Sequence, residues 1–196
     1  MQVEQLTTAA GQAMEGPFLI TPQVFGDDRG FFYESWNQRH FDEAVGAPTT
    51  FCQDNNSLSS RGVLRGLHYQ LEPQSQGKLV RCTAGAILDV AVDLRSSSAT
   101  FGQWVAAELS GENHQQLWVP VGFAHGFLTL SASAAVLYKA SGFWSKSCER
   151  SLRWNDPQLA IAWPLDRLGG DAPLLAEKDA AAPSLAEALA AGEVFA

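Results

Sequence analysis

Along most of the chain, hydrophobic and polar residues alternate at period two, in short runs cut by glycine and proline. The clearest run sets Leu88, Val90, Val92 and Leu94 on one face and Ile87, Asp89, Ala91 and Asp93 on the other. This is the pattern of a strand with one greasy face and one partly polar face; in a barrel, the polar face could line a cavity. Further strands are predicted over 18–25, 31–36, 79–83, 104–109, 116–120, 126–130 and 135–140. Many short strands with little helix between them predict a mainly β fold, either a sandwich, a barrel or a jelly roll. Gly26-Asp27-Asp28-Arg29-Gly30 has hairpin-loop chemistry, with glycines at both ends that tolerate positive φ. Helix signals gather at the end, where 183–190 is rich in helix formers and stops before Gly192.

Composition narrows the function classes. At 196 residues the chain fits one domain, on a prior of about 100–200 residues per domain. Charged residues make up 17% against about 25% in ordinary globular chains, which suits a protein that hides surface in an oligomer. Thirteen basic against 21 acidic residues leave a net charge of −8, which argues against nucleic acid or an anionic membrane as partner. An anionic small molecule fits only where the few cations converge on one pocket. Cys52, Cys82 and Cys148 are an odd, widely spaced set without a C-x-x-C, so neither a zinc ribbon nor a disulfide framework is expected. Residues 1–16 lack a basic n-region and an apolar h-region. No apolar run approaches the roughly 18 residues of a membrane span. The expectation is a soluble cytoplasmic protein, with 1–16 as an N-terminal extension and 17–196 as one domain that includes the C-terminal helix.

Two histidines stand out. His68 lies in the apolar run Gly62-Val63-Leu64-Arg65-Gly66-Leu67-His68-Tyr69-Gln70, and His125 in Pro120-Val121-Gly122-Phe123-Ala124-His125-Gly126-Phe127. A lone histidine in such a strand is more often a packed core residue bonded to a carbonyl than a catalyst. Strict alternation puts Arg65 and His68 on opposite faces, so a shared pocket requires a bulge, for which Gly66 is the candidate. His40 and His114 sit in polar surroundings and read as surface residues.

Together these segments become specific. FGDDRGFFYESWN, QDNNSLSSRGVLRGLHYQ, GKLVRC, ILDVAVDLR, TFGQW, QLWVPVGFAHGF, LYK and NDPQLAIAWP resemble, in order, the dTDP-4-dehydrorhamnose 3,5-epimerase family, from about Phe18 to Pro183. RGLHYQ with PVGFAHGF is quite specific; either alone is not. The resemblance implies a cupin-type jelly roll, a homodimer with shared active sites, and inversion of C3 and C5 in a dTDP-4-keto-6-deoxyhexose. Metal-binding cupins offer a rival reading. Gly62, His68, Pro120, Gly122 and His125 fit their pattern, but Gln70 replaces the second histidine and no glutamate stands at 74 or 75. Two ligands of four are too few for zinc or iron. No metal is expected, and without a G-x-G-x-x-G no nicotinamide cofactor either.

A hydrogen alpha to a ketone is a weak acid, so a base must be helped by a cation or donor at the enolate oxygen. Inversion also needs a base on one ring face and an acid on the other. His68 is the natural base near neutral pH. The resemblance makes Asp179 the carboxylate that orients it, a choice over Asp89 that the residues alone leave open. It also makes Tyr138 the proton donor and Lys78 the support for the enolate oxygen. It assigns substrate contacts to Arg29, Glu34, Gln53, Asn55, Arg65, His125, Glu149 and Lys178, with Arg29 and Glu34 reaching a neighbouring subunit's site. A buried tyrosine is otherwise usually core, and a charged loop usually solvated. One departure matters: Phe143-Trp144-Ser145-Lys146 stands where many relatives have paired tyrosines and a proline. Stacking on a base survives that change; a tyrosine hydroxyl contact does not. Two alternatives stay open, a single-position epimerase or ketoisomerase and a non-catalytic sugar-binding cupin. The set His68, Lys78, Tyr138 and Asp179 speaks against the second, because binding needs no base–acid set.

Overall fold

Period-two alternation sends every second side chain of a strand toward the facing sheet, and in this chain it builds a two-sheet barrel. The computed structural model describes residues 1–196. Its strands are β1 (Gln2–Thr7), β2 (Ala13–Thr21), β3 (Val24–Asp27), β4 (Gly30–Tyr33), β5 (Gln53–Ser60), β6 (Leu64–Gln70), β7 (Lys78–Ala84), β8 (Ala86–Asp93), β9 (Trp104–Ser110), β10 (Gln116–Val119), β11 (Phe123–Thr129), β12 (Ser133–Ala140) and β13 (Glu149–Ser151). The helices are α1 (Gln38–Val45), α2 (Glu177–Ala180) and α3 (Leu185–Ala190). One antiparallel sheet runs β1-β2-β10-β7-β12-β5, the other β13-β6-β11-β8-β9, and β3–β4 stands apart as a hairpin. This is the mainly β, cupin-type jelly roll that the alternation and the resemblance imply.

Two cores follow. Val80, Ile87, Ala91, Leu109, Leu117, Phe123, Phe127 and Val136 fill the space between the sheets. Leu64, Leu67, Tyr69, Val90, Val92 and Leu94 face outward from the five-stranded sheet, under Leu152, Leu159, Trp163, Leu168 and Leu185 of the C-terminal segment. The greasy face of β8 is therefore the outer one, and its partly polar face looks into the barrel. Asp156 latches this cover, its buried carboxylate accepting the Leu185 backbone N–H at 2.8 Å and that of Gln158 at 2.7 Å. The same cover carries α2 to the edge of β6.

Four features depart from the sequence reading. Residues 1–16 supply β1 and the start of β2, paired from Gln2↔Thr21 to Thr7↔Ala13, so they are part of the six-stranded sheet rather than an extension ahead of it. The predicted run 18–25 is split between β2 and β3, with Pro22 between them. Helix α1 was not anticipated: Asn37 caps its start by accepting the His40 backbone N–H at 3.3 Å, and Gly46 ends it at φ 77°. It buries Phe41 beside Trp36, Phe51 and Trp118 on the outer face of the six-stranded sheet. His114, read as a surface residue, packs its ring on Phe31 and Tyr33 at 4.7 and 4.8 Å.

Candidate active site

The site begins with a glycine. In β6 the register against β11 slips between His68↔His125 and Arg65↔Phe127, so the anticipated bulge is present at Gly66. Gly66 has φ 120°, and a Cβ there would stand 2.6 Å from Gly126 Cα and 2.8 Å from the His125 carbonyl oxygen. Only glycine fits, and the extra residue turns both Arg65 and His68 into the barrel. Arg65 Nε donates to Ser59 Oγ at 3.0 Å across the mouth of the lumen.

His68 Nε2 lies 2.6 Å from Asp179 Oδ1. Asp179 is buried, and its other oxygen accepts the Gly66 backbone N–H at 3.4 Å. Burial pushes the imidazole pKa below its ordinary value of 6.5, against the pull of the Asp179 carboxylate. Burial also works to raise the Asp179 carboxyl, but the hydrogen bond and charge of His68 outweigh it and keep Asp179 ionised. With Nε2–H donated to Asp179, Nδ1 is left with its lone pair and without a partner in the chain. A neutral, oriented imidazole with one free nitrogen can act as a general base.

Lys78 opens β7. It is buried, donates from Nζ to the His68 carbonyl oxygen at 3.3 Å, and is pushed down to about 8 by burial despite Asp89 and Glu149. Tyr138 projects from β12 on the opposite sheet, on the face that carries Val136 into the inter-sheet core and in register with Asn55 of β5. Burial raises its hydroxyl pKa, with Arg65 acting the other way, so the phenol keeps its proton. Base and phenol thus come from opposite walls, with a buried ammonium beside the base. Gln53 and Asn55 share the inner face of β5, joined by a 3.0 Å hydrogen bond. Glu149 on β13 receives Lys178 Nζ at 3.2 Å, and His125 Nε2 lies 2.7 Å from Asp89 Oδ1.

The model of the dTDP-4-dehydrorhamnose 3,5-epimerase family matches residues 12–187. The chain belongs to that family. A dTDP-4-dehydrorhamnose 3,5-epimerase of Pseudomonas aeruginosa is 58% identical over 176 residues, covering 90% of this chain and 94% of its own. The crystal structure of the Legionella pneumophila dTDP-6-deoxy-D-glucose-3,5-epimerase in complex with dTDP-4-keto-L-rhamnose superposes with a TM-score of 0.88 at 46% identity, covering 99% of this chain and 98% of that one. A 3'-monoepimerase of Streptomyces bikiniensis in complex with dTDP-quinovose gives 0.86 at 36% identity, over 93% and 90%.

Of the residues singled out from the sequence, His68, Lys78, Tyr138, Arg65, Gln53, Asn55, His125 and Glu149 face inward from the strands of this epimerase-family barrel, and Asp179 and Lys178 reach His68 and Glu149 from α2. Arg29 and Glu34 do not. The Arg29 side chain is 89% exposed and is held by Asp27, while Glu34 faces Asn37 and His40 on the outer side of the six-stranded sheet. Glu34 there lines a hollow of about 320 Å³ with Trp36, Phe41 and Leu79. Asp89, left open in the sequence as an alternative to Asp179, is instead the partner of His125. Gln70, at the position where metal-binding cupins keep a histidine, spends its amide on the loop after β12. It donates to the Phe143 carbonyl at 3.0 Å and accepts the Ser145 N–H at 2.7 Å.

Proposed function

We propose that this chain epimerises dTDP-4-dehydro-6-deoxy-D-glucose at C3 and C5 to dTDP-4-dehydro-L-rhamnose, for dTDP-L-rhamnose biosynthesis, without a cofactor. The observation that carries the reading is the opposition of His68–Asp179 on one sheet and Tyr138 on the other, beside the buried Lys78. His68 Nδ1 takes the proton alpha to the C4 ketone, and the C–H electron pair moves into the enolate. The Lys78 ammonium stabilises the developing oxyanion, and such stabilisation often contributes more to the rate than any other single effect. Asp179 stabilises the imidazolium. Tyr138 delivers its proton to the opposite face of the same carbon, which inverts it; the His68 imidazolium then releases its proton to solvent and the Tyr138 phenolate takes one back, so both groups are reset. C3 and C5 are both alpha to the ketone, so one set of groups can serve each in turn.

Arg65 offers a guanidinium to the diphosphate, and Gln53, Asn55, His125, Glu149 and Lys178 line the rest of the substrate path. Arg29 and Glu34 serve the site of a second copy in a homodimer. The exposed Phe25, Phe31 and Phe32 of the β3–β4 hairpin support that assembly. A reducing cytoplasm suits the three free cysteines.

Incubation of the substrate with the enzyme in D2O, followed by NMR, tests the reaction. Deuterium at both C3 and C5 is expected. Deuterium at one position selects the single-position reading, which the likeness to the monoepimerase and the Phe143-Trp144 departure keep in play. No deuterium at either position refutes an epimerase. Chelation with EDTA is expected to leave turnover intact, and activity that returns only with a divalent metal overturns the metal-free part. Mixing Arg29→Ala with His68→Ala chains is expected to recover activity through hybrid dimers. If hybrids form and stay inactive, Arg29 does not serve a neighbour.

A further inference from the structure

Phe143 and Trp144 stand 61% and 56% exposed on the loop after β12, yet the backbone beneath them is pinned. Surface loops are ordinarily the more mobile parts of a fold. Here the peptide groups flanking Trp144 are taken by glutamine side chains. The Trp144 N–H donates to Gln53 Oε1 at 3.0 Å, the Ser145 N–H donates to Gln70 Oε1 at 2.7 Å, and the Phe143 carbonyl accepts from Gln70 Nε2 at 3.0 Å. Gln53 belongs to β5 and Gln70 to β6, so the loop is fastened to both sheets.

Gln70 makes two of these three bonds. It is 4% exposed, and alternation along β6 sends it inward on the side that carries His68. Its amide can point only one way: Nε2 faces the carbonyls of Phe143 and Gln74, and Oε1 faces the Ser145 N–H. A primary amide carries a donor and an acceptor on one carbon, and this one meets the carbonyl before Trp144 and the N–H after it. Two residues of strand span about 7 Å, so the loop takes its position from the same strand as the base. An aromatic ring exposed on a fixed backbone loses little freedom when a flat ligand covers it, and stacking on such a ring is how proteins hold a nucleobase without reading its edge.

We propose that Gln70 is a positioning residue for the nucleobase of the substrate: by bonding the peptide groups on both sides of Trp144, it holds the indole as the surface on which the base stacks. This rests on the reading of the substrate as a dTDP-sugar. Gln70 acts through the loop, since its amide is spent on peptide groups. Its removal therefore weakens ligands that carry a base and leaves the chemistry at His68 in place.

The experiment compares Gln70→Met, Gln70→Ala, Trp144→Ala and the combination of Gln70→Met with Trp144→Ala, in the full-length protein. Gln70→Met keeps most of the buried volume and removes both bonds. Gln70→Ala removes them without setting an apolar group against the Phe143 carbonyl, which keeps the test open if the methionine variant does not fold. The readouts are KM and kcat, the affinities for dTDP and for pyrophosphate, and the His68 ring titration by NMR in the free protein. Each Gln70 variant is expected to weaken dTDP binding and raise KM about tenfold, within what loss of a stacked base covers. Pyrophosphate affinity, kcat and the His68 midpoint should stay close to wild type. The combined variant should bind dTDP no more weakly than Trp144→Ala alone, as for two residues acting through one contact. Additive losses, equal weakening of dTDP and pyrophosphate, or a displaced His68 midpoint would overturn the proposal. A wild type that binds no dTDP sinks the substrate reading and the proposal together; a wild type that binds it, beside Gln70 variants that bind it equally well, sinks the positioning role alone.

Discussion

The barrel contains two histidine–carboxylate pairs on neighbouring strands, His68–Asp179 and His125–Asp89, with Nε2 to Oδ1 distances of 2.6 and 2.7 Å. Their contacts are nearly the same and their settings are not. The His68 side chain is 24% exposed, against 8% for His125. Asp179 arrives on a late, single-turn helix from the C-terminal cover, and both its oxygens are partnered. Asp89 sits in the middle of β8, wholly buried, and its Oδ2 has no partner. On the proposed reading, its greater exposure to the lumen lets the first pair work as the base. Enclosure makes the second a fixed element of the wall, whose carboxylate is also a counter-charge for Lys78. The pairing of residue types identifies neither role; solvent access and what lies opposite do.

The largest expected effect separates the pairs directly. His68→Ala should abolish both deuterium wash-in and product formation, a loss of about 10²–10⁴-fold or more for a general base. His125→Ala should act on folding first. It strands Asp89 without its one partner, and breaking a buried pair in this way costs about 3–5 kcal/mol, which denaturant unfolding would read. The folded fraction should still exchange deuterium. Loss of exchange in His125→Ala with stability intact would exchange the two roles.

Tyr138 sharpens the contrast, because the proposed mechanism makes it the acid that works with His68. Tyr138→Phe keeps the ring and its packing and removes the acid. Enolate formation should continue, and His68 can hand deuterium back to the face it left, while inversion falls by about 10²-fold or more. The signature is exchange at C5 that outpaces inversion. Equal loss of both, with folding intact, would make Tyr138 part of enolate formation and leave another donor for the opposite face.

What the sequence made legible follows the same division. Period-two runs marked β7 through β12 because each buries apolar residues on at least one face, and a bulge at Gly66 was readable from Arg65 and His68 needing one side. Strand β5, by contrast, reads QDNNSLSS. Its inward residues Gln53, Asn55, Ser57 and Ser59 face the lumen rather than an apolar core, so hydrophobic periodicity is silent where the site is most polar. Helix α1 carried its signals, Asn37 and Gly46 at its ends, but buries one residue, Phe41, too few to show a period. The choice of Asp179 over Asp89 depended on how far the C-terminal cover travels before it meets β6. No local pattern holds that distance, and the family resemblance supplied it.

The smallest expected effects are shifts along the pH axis, and there the two carboxylates should control opposite limbs. The profile of kcat/KM reports the free enzyme. Its acid limb is the protonation of His68 and should lie below 6.5, since burial depresses that imidazole more than Asp179 restores it. Its alkaline limb is the loss of the Lys78 proton, near the value of about 8 to which burial brings that ammonium. Asp179 favours the imidazolium, so Asp179→Asn removes a stabiliser of the charged form and should move the acid limb to still lower pH, in addition to lowering the plateau. Asp89 favours the Lys78 ammonium, so Asp89→Asn should leave the acid limb nearly in place and draw the alkaline limb down from about 8. A burial-driven shift that ignored these partners would move neither limb. If Asp89→Asn displaced the acid limb instead, His125 rather than His68 would be the group that titrates in catalysis, and the division between working pair and wall would fail at its first premise.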